Sequence, residues 1–143
     1  LFLSIMTDMS SYFEDIVQNW WSQNDDMPTA PSNVYVSLHT SDEGNTPDGT
    51  DEVGEDSYSR VETAPADWSV SGDGPTTVEN EETINFGDPE ENWGNVSHFA
   101  IWDGSSDTDN PLTATIPLDE AKDITSDTDE VRFDTSALTI ELD

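Results

Sequence analysis

The run Trp93-Gly94-Asn95-Val96-Ser97-His98-Phe99-Ala100-Ile101-Trp102-Asp103 constrains this chain more than any other stretch. A strand with one wet face alternates apolar and polar residues, whereas a strand covered on both faces is apolar at both parities. After the Trp93-Gly94 corner, Val96, Phe99, Ala100, Ile101 and Trp102 occupy both parities. The run is therefore expected to be the central strand of a sandwich, with the rest of the chain wrapped around it.

What surrounds it is acidic. Thirty-three Asp and Glu face three Lys and Arg, for a formal charge of −30. In a compact body this charge repels itself over a Debye length of about 8 Å near physiological salt, which shrinks to about 3 Å at molar salt. High charge with low hydrophobicity is also the signature of a disordered acidic tail. Five Trp and several strand-like runs spread along the chain argue instead for a globular domain in a medium of very high salt. Nucleic acid is excluded as a direct partner, because phosphate contacts need Lys and Arg. Only Arg60, Lys122 and Arg132 are present, far apart in sequence.

The 143 residues suit one folded domain and contain no Cys, so neither disulfides nor thiolate metal sites are available. No apolar run approaches the roughly 18 residues of a membrane span. The opening Leu1-Phe2-Leu3-Ser4-Ile5-Met6 is too short for a signal peptide and lacks its basic start. Leu1, Met6 and Met9 are the alternative starts.

Taken in order, Ser11-Tyr12-Phe13-Glu14 has the form of a capping box. Phe13, Ile16, Val17, Trp20 and Trp21 then fall on one stripe of a helix over about 11–23, with Glu14, Asp15, Gln18 and Asn19 opposite. Two readings of this helix follow: a plug for one end of the sandwich, or a docking surface for an adjacent subunit, since Trp is enriched at interface anchors. An N-terminal segment 1–31 carrying the helix is expected to precede a sandwich domain over 32–143.

Val34, Val36 and Leu38 alternate with Tyr35, Ser37 and His39 in a strand. Residues 41–56 hold little to bury and read as a long surface loop. Residues 57–63, 68–70, 76–78 and 83–86 read as short strands, with Gly72-Asp73-Gly74-Pro75 a turn. After a second polar loop at 104–111, Leu112, Ala114, Ile116 and Leu118 alternate through an edge strand that carries Pro117. Residues 119–130 read as a polar connection with a short element at Lys122-Asp123-Ile124-Thr125. Val131 and Phe133, then Leu138, Ile140 and Leu142, complete the pattern. The expected fold is mainly β, an antiparallel, jelly-roll-like β-sandwich with one amphipathic N-terminal helix. Its core is expected at Val34, Val36, Leu38, Trp93, Val96, Phe99, Ile101, Trp102, Phe133, Leu138 and Ile140.

Signals for chemistry are weak. His39 and His98 lie in strands without zinc-ligand spacing and read as hydrogen-bonded structural residues, and nothing marks a serine as paired with either. The acidic loops offer oxygen ligands, with Asp42, Asp48, Asp107 and Asp109 as candidates for weakly held Na⁺, Mg²⁺ or Ca²⁺. Neither loop fits a twelve-residue calcium site, and no dedicated metal or cofactor is expected. Nucleophile-elbow and phosphate-loop motifs are missing, so no catalytic residue is assigned and an enzyme is not expected.

Several segments in order resemble a family of small structural proteins of tailed phages, often called phage tail-fibre proteins. They are the 35–42 segment Tyr-Val-Ser-Leu-His-Thr-Ser-Asp, Glu52-Val53 with Tyr58-Ser59-Arg60-Val61, Ile84-Asn85-Phe86, Trp93-Gly94-Asn95-Val96-Ser97-His98-Phe99 and Ser136-Ala137-Leu138-Thr139-Ile140. Asp42-Glu43-Gly44 stands where that family tends to have Asp-Pro-Gly, a departure read as salt adaptation. The resemblance implies a virion component on the tail, at capsid vertices as a turret, or on the capsid as decoration. With the charge, it implies a tailed virus of halophilic archaea, assembled in a high-salt host cytoplasm. The expected partners are copies of the chain itself as a homo-trimer or homo-pentamer, the major capsid or tail proteins, and a host-surface receptor. The helix stripe would anchor the subunit, and the acidic loops would face the brine. A receptor- or carbohydrate-binding module using exposed Trp68 or Trp102 is the alternative, and a halophilic hydrolase acting through His39 or His98 is the remote one.

Overall fold

Alternation in the first strand divides the molecule into an apolar side and a polar one. The computed structural model describes residues 8–72 and 76–142. Strand β1 (Val34–His39) pairs antiparallel with β6 (Gly94–Trp102), setting Val36 against Ile101 and Leu38 against Phe99. These four side chains face the main core. The opposite face pairs Tyr35 with Trp102, Ser37 with Ala100 and His39 with His98. It is closed by polar groups.

The full strand set is β2 (Val61–Thr63), β3 (Trp68–Ser71), β4 (Thr76–Asn80), β5 (Ile84–Gly87), β7 (Ile116–Ile124), β8 (Val131–Phe133) and β9 (Thr139–Leu142). They form antiparallel sheets of order β2-β1-β6-β7, β3-β4-β9 and β5-β8. The architecture is an antiparallel β-sandwich with helix α1 (Ser11–Ser22) at its N-terminal end. The 93–103 run becomes β6, an interior strand between β1 and β7. Its C-terminal half is buried on both faces, which is why it lacks alternation. Trp93, Val96, Phe133, Leu138 and Ile140 join the core cluster, and Val34 packs half-buried at its margin. Trp102 is buried but lies on the polar face.

Three sequence expectations need correction. The strand expected at 112–118 begins only at Ile116 and runs on into the expected polar connection as β7 (Ile116–Ile124), held by its ladder to β6 through acidic residues that show no alternation. Residues 57–60 lie outside any strand, and β2 begins at Val61. The helix is capped by Ser10, whose Oγ accepts from the Phe13 backbone N–H at 3.1 Å, so the Ser11–Glu14 capping box does not form. Helix α1 buries no residue fully, and its Phe13, Ile16 and Val17 are half-buried.

Residues before the helix are tied into the sheet edge. Met9 bridges Thr113, the Ala114 backbone N–H donates to the Asp8 carbonyl, and Ser10 is fully buried. The 1–6 segment and the 73–75 turn positions lie outside the described residues, as does the side chain of Leu142. No helix among the described residues is long and apolar enough to cross a membrane.

Candidate functional site

Two features remain once the apolar core is accounted for: a buried polar network on the outer face of β1 and β6, and an exposed aromatic helix.

The network starts at His39, which β1 turns away from the core. Its Nδ1 lies 2.6 Å from Glu43 Oε1 and its Nε2 lies 2.6 Å from Ser37 Oγ. A carboxylate only accepts, so Nδ1 carries the proton and Nε2 accepts from the Ser37 hydroxyl. The indole Nε1 of Trp102 donates to that same Ser37 Oγ at 2.7 Å. Burial of the ring is the main cause of a lowered His39 pKa, opposed by the Glu43 hydrogen bond and charge. The imidazole is thus held neutral.

Glu43 does more than face His39. Its carboxylate accepts from the backbone N–H groups of Asp48, Gly49 and Asp51 at 2.9–3.2 Å, and its side chain is 6% exposed. The reading of Glu43 as a surface salt adaptation is therefore wrong: it is the anchor of its loop. The 41–56 segment is likewise not a free surface loop. Pro47 and Val53 are buried, the Val53 N–H donates to the Leu38 carbonyl at 3.0 Å, and Glu52 bridges His39.

Arg60 ties this segment to the next one. Its Nε and Nη2 donate to Glu52 at 2.8–3.1 Å, while Nη1 donates to the carbonyls of Gly104 and Ser106 at 3.1 and 2.7 Å. The guanidinium lies 3.8 Å from the Trp102 ring centroid, a cation–π contact out of solvent. Tyr58 donates to Glu52 and accepts from the Leu38 N–H. Burial first, and the Glu52 charge second, push its phenol well above the ordinary value, so it keeps the proton it donates.

Ser37, His39 and Glu43 have the connectivity of an acyl-transfer triad. The sequence marked no serine as a histidine's partner, yet each histidine has one: Ser97 Oγ likewise lies 2.7 Å from His98 Nδ1. Ser37 and His39, however, are each 0% exposed, and the Ser37 hydroxyl is engaged by Trp102. In this conformation no substrate reaches the nucleophile. The arrangement satisfies buried polar groups and fixes the loop above them.

The candidate cation ligands do not converge. Asp42 accepts from Gly44 N–H and the Thr115 hydroxyl, and these bonds lower its pKa. Asp48 accepts from Thr50 N–H, Asp109 from Ser106 N–H, and Asp107 from the Ser106 hydroxyl. Among the described residues no group of three or more His, Asp or Glu is placed to hold a metal ion.

The helix stripe divides. Phe13, Ile16 and Val17 are half-buried, whereas Trp20 and Trp21 are 55% and 71% exposed. Tyr12, Phe13 and Ile16 line an apolar groove of about 460 Å³ with the 27–31 segment and Leu112. Of the aromatics proposed for sugar contact, Trp102 is 1% exposed and out of reach, whereas Trp68 is half-buried and donates its Nε1 to Thr63.

The residues missed in the sequence are Ser37, Glu43, Glu52 and Tyr58. Arg60 gave a hint, as one of three cations in an acidic chain.

Comparison with known proteins adds family membership. The family model described as podophage GP4 fiber I protein gp80 matches residues 8–141, from the segment before α1 into β9. No curated protein matches the chain. The chain belongs to this podophage fibre-protein family and is a phage-fibre-type structural component of the virion.

Proposed function

We propose that this protein is a non-enzymatic surface subunit in the virion of a tailed virus of halophilic archaea. It works as a symmetric homo-oligomer, trimeric or pentameric, in a tail fibre or as a capsid turret or decoration, and it stabilises the particle. Helix α1 anchors it to its copies or to a capsid or tail protein.

One observation carries this reading. A domain whose core is complete presents a helix with no fully buried residue and with Trp20 and Trp21 in solvent. Exposed Trp pairs are costly to leave wet and are enriched among interface anchors. Closed point-group symmetry is the usual form of such assemblies.

Replacing Trp20 and Trp21 with Ala tests it. At molar salt, light scattering should show assembly weakened by about 2 kcal/mol or more, while thermal unfolding of the subunit changes by less than about 1 kcal/mol. Normal assembly with earlier melting would show that the helix only supports the fold.

A further inference from the structure

Helix α1 reads the same by residue kind in both directions. About the midpoint between Ile16 and Val17, the acids Asp15 and Glu14 answer the amides Gln18 and Asn19, the aromatics Phe13 and Tyr12 answer Trp20 and Trp21, and Ser11 answers Ser22. Packing on its own body does not require this. The helix dipole accounts for Glu14 in the first turn. The groove beside Leu112 accounts for half-buried Phe13 and Ile16. Neither accounts for two aromatics at the other end, where Trp20 and Trp21 are 55% and 71% exposed.

Helical periodicity turns the pattern into a surface. Phe13, Ile16, Val17 and Trp20 fall on one stripe, with Phe13 and Trp20 about 10 Å apart along the axis and equally far from its centre. A stripe symmetric about its centre is self-complementary when a second copy is laid on it antiparallel, and such a contact is isologous. Trp20 of each copy then meets Phe13 of the other, and Ile16 and Val17 of both copies meet at the axis. The Phe13 end is already hollow, since Phe13 and Ile16 line the groove of about 460 Å³ whose other wall is the 27–31 segment.

We propose that two copies of this chain pair through α1, antiparallel across a twofold axis, each placing Trp20 in the groove of the other. This rests on the reading that α1 anchors the subunit to its copies and deepens it by giving that contact a symmetry. Charge agrees with the direction. Reversal sets Glu14 and Asp15 of one helix level with the amides of the other, whereas parallel pairing sets acid level with acid in a chain of net charge −30. Area agrees as well. Two Trp from each copy, with the surface they cover, remove on the order of 1,200 Å² from water, the size at which specific interfaces begin. An unrelated partner would impose no such symmetry on the sequence. A twofold contact joins copies in pairs, so it ties one ring to the next rather than closing a ring of three or five.

Thiol cross-linking of the full chain at molar salt tests the proposal, with circular dichroism as the folding control. The chain has no Cys, so each substitution supplies the sole thiol. Val17 lies beside the axis, against its own counterpart. Val17→Cys should oxidise to a disulfide-linked dimer at least about tenfold faster than Ser22→Cys, although Ser22 is the more exposed position. Adding Trp20→Ala should remove that advantage. Ile16→Cys is the second position near the axis, for use if Val17→Cys fails to fold. Phe13→Cys, whose counterparts stand about 10 Å apart along the axis of an antiparallel pair, should link slowly. Equal linking at Phe13 and Val17 would show a parallel bundle and overturn the proposal. An oligomer by light scattering with no advantage at Val17 or Ile16 would overturn the twofold contact while sparing homo-oligomerisation. A wild type monomeric at all concentrations would overturn both.

Discussion

At the scale of single residues, the outer face of β1 depends on a histidine kept neutral. The groups facing His39 are Glu43, Glu52 and Arg60, with His98 opposite it on β6. Its folded pKa is lowered, burial being the largest cause, below the ordinary imidazole value of 6.5. The unfolded chain therefore binds a proton that the folded one refuses. This contribution to stability is fully present above the ordinary value and is lost as pH falls through the folded pKa. Asp42 and Asp48, held below the ordinary carboxylate range by hydrogen bonds, also lose their contribution as pH falls, so a difference measurement is needed. His39→Asn keeps a donor near Nδ1 but removes the acceptor at Nε2, and it should cost about 1–3 kcal/mol at neutral pH. The gap between wild type and variant, followed by denaturant unfolding, should narrow as pH drops below 6.5. A constant gap would show that His39 does not titrate on unfolding. The sequence showed His39 as a hydrogen-bonded structural strand residue but not its partners, since Glu43 looks like any loop carboxylate and Trp102 comes from a strand far along the chain.

At the scale of elements, strands with clear alternation were legible, and those held by their neighbours were not. Strand β1 showed itself in Val34, Val36 and Leu38, and β6 in its apolar run. Strand β7 showed only its two ends, at 116–118 and 122–124, since Asp119 and Glu120 between them gain strand geometry from the ladder and bulge with β6. Helix α1 showed the same division. Its stripe was readable, but the choice between Ser10 and Ser11 as cap was not. Ser10 prevails because its hydroxyl also donates to the Pro111 carbonyl, a contact across most of the chain. Ser10→Ala removes both bonds at a fully buried position and should cost about 1–2 kcal/mol. Hydrogen exchange should accelerate at the Phe13 amide and through the first turn of α1, while β4 and β9 keep their protection. Uniform acceleration across the sheets would mean that the cap supports the whole fold rather than the helix.

At the scale of the whole molecule, the decisive quantity is a charge of −30 on a domain with one modest core. The sandwich class was legible because strand periodicity survives any surface composition. Loop order was not, since Glu43, Glu52 and Asp103 look in sequence like the rest of the acidic surface. In the fold Glu43 holds amide groups of its loop, Glu52 holds Arg60, and Asp103 accepts from the backbone and side chain of Asn110. These carboxylates are internally satisfied, while the many others face solvent and repel one another over the Debye length. Lowering salt from molar to tenths of molar lengthens that range from about 3 Å to about 8–10 Å. The melting temperature should therefore fall continuously with ionic strength, and near-ultraviolet circular dichroism should lose its Trp signal before far-ultraviolet signal disappears. Potassium and sodium chloride should act alike, because screening depends on ionic strength. Removing divalent ions with a chelator at constant molar salt should leave both spectra unchanged. Collapse under the chelator would place the stabilising charge contact at a bound divalent ion, and stability independent of salt would remove the high-salt reading altogether.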